Sequence, residues 1–321
     1  AKKFTSRASN AGQDRSNNGS HPKPIRARPE SAPHLVPMVS TLLKISCPDR
    51  VGLLAQICSF VASHGGNLEE VHQFTDREKG WFFARLAVDT QSLRSPTEAL
   101  ANDFAPLAAE LKAEWSVRSA SRRPRVILMV SKLGHCLADI LWRWRSGELA
   151  FDIPCVISNH ETYRELVERE GIPFIHIPVS PDSKSDAFQQ METLWSEHDA
   201  DLIVLARYMQ VVPSDVCLRW PGRIMNIHHS FLPSFIGANP YQRAHERGVK
   251  LIGATCHYAT PELDEGPIIE QEVVRVEHFH STEDLLRLGR DCERLALARG
   301  LRYHITGRVF VRGNRTIVFR D

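Results

Sequence analysis

The sequence holds no apolar run approaching the roughly 18 residues that a membrane-spanning helix needs, so a bilayer span is excluded. Nor does one sign of charge dominate. Lys and Arg number 40 against 38 Asp and Glu, and a net charge of +2 argues against a chain built to neutralise duplex phosphates. Cysteine is sparse and odd in number: positions 47, 58, 136, 155, 217, 256 and 292 are scattered, mostly within apolar runs, and read as reduced thiols of a cytoplasmic compartment rather than a disulfide framework. There is no internal repeat. The 15 histidines include His135 beside Cys136, His228 beside His229, and Cys256 beside His257, yet none matches a spaced ligand motif, so no metal is expected. What remains is 321 residues, 42% hydrophobic, enough for about two domains with ordinary cores.

Residues 1–38 stand apart, with almost no apolar periodicity and many Ser, Asn, Pro and Arg. Seven basic residues against two acidic ones give this stretch +5, which leaves −3 for the rest. Acid-poor, Arg- and Ser-rich segments also serve as organelle transit peptides, but the Pro, Gly and Asn residues here interrupt an amphipathic helix, so a disordered basic tail is expected. Residues 39–118 form the first compact unit. A strand at 40–46, a helix at 51–64 ended by Gly65-Gly66, strands near 67–75 and 81–88, a helix at 96–111 and a strand at 114–118 make a ferredoxin-like βαββαβ plait.

After a linker at 119–124 the pattern changes, and residues 125–321 form the second unit. Short, nearly continuous apolar strands at 125–130, 153–158, 174–177, 201–205 and 223–227 alternate with helices at 134–144, 162–170, 184–198 and 214–220. This predicts a mostly parallel, Rossmann-type sheet covered on both faces. Strands at 251–257 and 268–274, a long helix at 281–301 and a hairpin at 309–311 and 316–319 finish the chain. Sheets of this kind bind ligands beyond the carboxyl ends of their strands.

The densest polar cluster in such a position is Asn226-Ile227-His228-His229-Ser230. Asn226 and His228 are two apart on a strand and project to one face. An imidazole is the usual general acid or base near neutral pH, and a neutral carboxamide donates an N–H to a developing oxyanion. Asp264, in the Glu262–Pro267 turn between the last two long strands, is the carboxylate able to hold the imidazole tautomer and a water. With no Ser or Cys nucleophile paired by local motif, direct transfer or hydrolysis is favoured over a covalent intermediate.

These residues carry a resemblance. The runs 226–233, 253–257 and 262–267 resemble the active-site signature of the 10-formyltetrahydrofolate-dependent formyltransferase fold over about residues 124–303, with Asn226, His228 and Asp264 at its catalytic positions. The resemblance implies a pterin pocket walled by Met209 and Val212, with the backbone of Gln210, Val211 and Val212 bonding the pterin edge. Members that formylate glycinamide ribonucleotide cradle its phosphate in a Gly-rich loop after the first strand. Here that loop is Ser131-Lys132-Leu133-Gly134-His135-Cys136, with one glycine, which argues against a phosphorylated acceptor. The sequence departs from the family pattern at Ile236 and Asn239, in the stretch expected to meet the substrate's anionic tail.

The first unit, with Asp49, Arg50 and Gly52 after its first strand and Asn67 after the Gly-Gly turn, resembles an ACT domain, a module that binds small amino acids at subunit interfaces. An ACT domain followed directly by a formyltransferase-like domain is the architecture of the formyltetrahydrofolate deformylase family. The combined resemblance implies hydrolysis of 10-formyltetrahydrofolate to formate and tetrahydrofolate with water as acceptor and no cofactor. It also implies formate supply for purine synthesis, an amino-acid effector (glycine or methionine), and homo-oligomers formed through ACT domains. The rivals are transfer to an unphosphorylated acceptor and a non-catalytic folate or amino-acid sensor.

Overall fold

Leu43, Ile45 and Cys47 alternate with Leu42, Lys44 and Ser46 along β1 (Ser40–Pro48), and the first set is buried against α1 (Leu53–Ser63) and α2 (Thr97–Leu111). The computed structural model describes residues 40–232 and 240–320; the expected basic tail 1–38 and the positions Ile236 and Asn239 lie outside the described residues. With β2 (Leu68–Asp76), β3 (Trp81–Asp89) and β4 (Glu114–Ser119), β1 makes an antiparallel sheet in the order β2-β3-β1-β4, the ferredoxin-like plait. Gly65 just past α1 takes φ +81°, the left-handed conformation that ends a helix most cheaply with glycine.

The second unit has a seven-stranded sheet. Its parallel strands are β5 (Val126–Val130), β6 (Val156–Ser158), β7 (Phe174–His176), β8 (Leu202–Leu205) and β9 (Ile224–His228); β10 (Leu251–Tyr258) and β11 (Ile268–Arg275) join antiparallel. The order is β11-β10-β9-β8-β5-β6-β7. Val126, Leu128 and Val130 pack beneath α3 (His135–Ser146) and α8 (Thr282–Ile305), while Ile127 and Met129 face α5 (Lys184–Glu197) and α6 (Ser214–Arg219). Burial on both sides explains the uninterrupted apolar runs. From central β5 the chain winds first toward β6 and then back toward β8, so the crevice at the carboxyl ends of β5, β8 and β9 is a topological switch point.

Three details differ from expectation. The strand anticipated from 153 begins only at Val156, after Pro154, which has no N–H for the ladder. The segment Arg164–Arg169 (α4) is shorter than the anticipated helix and follows a 3₁₀ turn at Glu161–Tyr163. A helix α7 (Pro240–Arg247), mean hydropathy too low to mark a buried face in the sequence, precedes β10.

Across the linker at 119–124, the second face of the first sheet is docked on the end of the chain. Lys44 Nζ donates to the Val309 carbonyl (2.6 Å), Arg118 Nη2 to that of Ile305 (2.6 Å), and Arg85 to that of Thr306. Arg308 pairs with Glu70 (2.8 Å), and Phe83 meets Phe310 edge-on. Two cations from the plait, Arg118 and Arg85, thus cap orphan carbonyls at the C-terminus of α8, while Lys44 ties the plait to the first residue of the strand that follows. The closing strands β12 (Val309–Arg312) and β13 (Arg315–Val318) form the expected hairpin. No described helix is long and apolar enough to cross a membrane.

Candidate active site

Asn226 and His228 sit at the end of β9 and, as the two-residue period requires, share a face. They line a cavity of about 300 Å³ with Met209, Gln210, Val211, Val212, His229, His257 and Asp264, so the structure unites every catalytic and pocket residue anticipated in this unit. Asp264 arrives in the turn between β10 and β11. Its Oδ2 lies 3.1 Å from His228 Nδ1, so the carboxylate accepts the Nδ1 proton and leaves Nε2 as the basic nitrogen, 2.9 Å from the Ser230 hydroxyl. Burial alone would raise the Asp264 carboxyl, but the hydrogen bond and charge of His228 hold it below the usual carboxylate range. Asp264 has φ +58°, a strained setting for a non-glycine residue. Two residues on, a Cβ at Gly266 would fall 1.8 Å from the Tyr258 carbonyl, so only glycine lets this turn lie so close to β10.

His257 is a functional residue that pattern reading passed over. It lies opposite Asn226 in the β9–β10 register, and its Nδ1 donates to the Tyr258 carbonyl (2.9 Å). Nε2 therefore accepts, 3.1 Å from Asn226 Nδ2, which fixes the amide with one N–H on His257 and the other free toward the cavity. Burial lowers the His257 pKa and keeps the ring neutral. The signal lay in the sequence as the run Gly253–His257, but only antiparallel pairing puts it beside Asn226.

The pocket wall divides: Val212 is partly buried and packs against the core cluster of α5 and α6, whereas its neighbours stand out from it. Met209 and Val211 are 55% and 50% exposed, values that favour a ligand-facing role over packing. The backbone groups of Gln210, Val211 and Val212 make no hydrogen bonds among the described residues, which leaves them for a ligand edge, whereas the Met209 N–H is taken by Ser131 Oγ (2.9 Å).

A second polar cluster adjoins the first. Glu293 of α8, buried, accepts from Tyr241 (3.0 Å), is bonded to His135 at the start of α3 (2.7 Å), and lies 3.2 Å from Arg207 Nε. Burial would raise the Glu293 carboxyl, yet His135 and the Arg207 charge hold it low. His135, Cys136 and Glu293 could also converge on a cation, but burial pushes the Cys136 thiol well up and Arg207 already supplies the positive charge. The loop before α3 is filled: the Tyr163 ring covers Gly134, where a Cβ would be 2.3 Å from it, and its hydroxyl donates to the Lys132 carbonyl (2.9 Å). That ring occupies the approach a phosphate nest would need.

The anticipated effector residues are not united. Asp49, Arg50 and Gly52 lie at the start of α1 and Asn67 beyond its end, so 11 helical residues, about 16 Å of rise, separate them. Asp49 does not cap α1; the N-cap is Gly52 at φ +88° with no side-chain bond, and Arg50 reaches Gln56 and Glu110. One copy of the chain therefore does not contain a single site made of all four. The seven cysteines are free, and burial raises their thiols, Cys155 to about 12.

Residues 124–301 match the formyl transferase family model and residues 41–103 the ACT domain model. The chain is 48% identical over 278 residues to the formyltetrahydrofolate deformylase of Bacillus subtilis, covering 86% of this chain and 93% of that one. The crystal structure of a formyltetrahydrofolate deformylase from Pseudomonas syringae pv. tomato superposes with a TM-score of 0.87 at 49% identity, over 89% of this chain and 96% of that one. The glycinamide ribonucleotide transformylase 1 of Symbiobacterium toebii matches at 30% identity and a TM-score of 0.58 over 64% of this chain and 98% of its own.

Proposed function

The chain belongs to the formyltetrahydrofolate deformylase family, and from this premise we propose that Asn226, His228 and Asp264 carry the hydrolysis of 10-formyltetrahydrofolate to formate and tetrahydrofolate. The observation that carries the assignment of roles is the Asp264–His228 hydrogen bond at 3.1 Å beside an Asn226 amide with one N–H free. Water held near His228 and Asp264 adds to the formyl carbon and gives a proton to His228 Nε2, while the Asn226 N–H bonds the oxyanion. The C–N10 bond then breaks, N10 takes the proton from His228, and formic acid leaves and gives its remaining proton to solvent as formate. Water is the only co-reactant this sequence needs, so no cofactor is called for. The pterin lies against Met209 and Val212, with its edge on the backbone of Gln210–Val212.

Two observations favour water over an amine acceptor: the Tyr163 ring on Gly134, and the closed cluster around Glu293. The test is formate release from 10-formyltetrahydrofolate with no added acceptor. Stoichiometric formate and tetrahydrofolate support hydrolysis, and turnover only on adding an acceptor would overturn it. The plait is the regulatory unit, and its effector, glycine or methionine, is expected between two copies, since the 11 residues of α1 keep the candidate residues apart within one copy. Free thiols and the absence of a described membrane span fit a cytoplasmic enzyme whose formate is available to purine synthesis.

A further inference from the structure

Three imidazoles line the catalytic cavity. His228 is held by a carboxylate and His257 holds Asn226, but His229 has the opposite kind of partner. Arg207 Nη1 lies 2.8 Å from His229 Nδ1. A guanidinium has donors only and does not deprotonate in proteins, so the Arg207 N–H donates and Nδ1 accepts. The ring is therefore neutral, its single proton is on Nε2, and no protein group among the described residues bonds that nitrogen.

The arrangement is built rather than incidental. Arg207 takes φ +63°, a left-handed backbone setting that is unfavourable for a non-glycine residue. Its Nε faces Glu293 at 3.2 Å without hydrogen-bond alignment, and Glu293 is braced by His135 and Tyr241. A buried ion pair of this kind adds little net stability over apolar packing, so stability alone does not explain it. The charged and titratable groups facing His229 are Arg207 after β8, His228 beside it, Asp264 from the β10–β11 turn, Glu293 from α8 and Tyr241 from α7. Burial and the Arg207 charge lower its pKa to about 4, so it stays neutral at neutral pH.

We propose that His229 is a further catalytic residue: its Nε2–H donates to the oxygen that becomes negative as water adds to the formyl carbon, alongside the Asn226 N–H, and Arg207 with Glu293 is the positioning pair that keeps the proton on Nε2. The proton stays on Nε2 throughout, so no transfer is added to the reaction. The role rests on the hydrolysis reading above and explains why two adjacent histidines are given partners of opposite charge.

Nitrogen-15 NMR of the wild-type enzyme tests the tautomer without reference to activity. The expected spectrum has an unprotonated Nδ1 and a protonated Nε2 for His229, with no titration above about pH 5; a protonated Nδ1 at neutral pH overturns the proposal. In kinetics, His229→Ala is expected to lower kcat by about 10²–10³-fold, as loss of an oxyanion donor does, with KM changed less than about threefold. His229→Gln, which keeps an N–H donor, is expected to regain at least tenfold. Arg207→Gln, checked for folding by its thermal transition, is expected to gain an acid limb in kcat nearer the free-imidazole pKa of about 6.5. Equal losses in His229→Ala and His229→Gln mean packing only and overturn the proposal, as does near-wild-type turnover of His229→Ala. If the wild-type enzyme releases no formate, hydrolysis itself fails; if it does and His229→Ala matches it, this proposal alone fails.

Discussion

The catalytic crevice and the rim of the plait use the same residue types in opposite ways. In the crevice each polar group is at least half-buried and held: Asp264 on His228 at 3.1 Å, Asn226 on His257 at 3.1 Å, and His229 on Arg207 at 2.8 Å. At the rim, Asp49 caps nothing, Arg50 makes solvent-exposed bonds, and Asn67 lies a helix length away. The crevice groups are held within one chain, whereas the four rim residues proposed for an effector are not brought together in one copy. The difference teaches where substitutions should act: on the chemical step in the first region, on responsiveness in the second.

The largest effect expected is in the crevice. His228→Ala should lower kcat by at least about 10³-fold and Asn226→Ala by about 10²–10³-fold, measured as formate release at saturating substrate. Near-full turnover of His228→Ala would remove the contrast altogether. Next comes the hold on Asn226. In His257→Phe the amide loses the acceptor that orients it, and kcat should fall on the order of tenfold with little change in KM.

Acid sharpens the comparison further. The Asp264 carboxyl is depressed in the fold, so its contribution is present above the unfolded-state pKa and is lost as pH falls through the lowered native value. His229 is a base depressed from 6.5 to about 4, so between those values the unfolded chain takes up the proton first and stability falls as pH falls. That window amounts to roughly 3 kcal/mol for His229. Urea midpoints between pH 7 and 4 should slope downward, and the slope should flatten in His229→Phe.

The docking of the plait predicts a moderate loss. Arg118→Met leaves the Ile305 carbonyl without its donor, which should lower stability by about 1–3 kcal/mol, read as a lower thermal midpoint. The smallest and most local effect belongs to the rim: Asp49→Ala or Asn67→Ala should flatten the dose response of formate release to glycine or methionine. An unchanged response in both would place the effector elsewhere.

Much of this was legible beforehand. The βαββαβ order, the buried parallel strands and the pairing of Asn226 with His228 on one face follow from periods of two and 3.6 residues, and Asp264 was marked by its acidic Gly-Pro turn. The short α7 was not, because in the eight residues Pro240–Arg247 only Tyr241 and Ala244 mark its buried face, too few for a helical period to show. His257, His135, Arg207 and Glu293 were not assigned roles either, since their partners lie 31, 158 and 86 residues away along the chain, as the separations Asn226–His257, His135–Glu293 and Arg207–Glu293 show.

Local chemistry thus determined from the sequence alone the order of the longer strands and helices, that Asn226 and His228 share one face of a strand end, and that the chain beyond residue 38 carries −3 while the +5 belongs to residues 1–38. Only the tertiary structure decided which partner each of the cavity histidines meets and that His229 and His257 are held neutral. His228 faces a carboxylate and His229 a guanidinium, one residue apart, and a titratable group takes its pKa from burial and from charges within a few ångströms, neither of which a linear pattern contains.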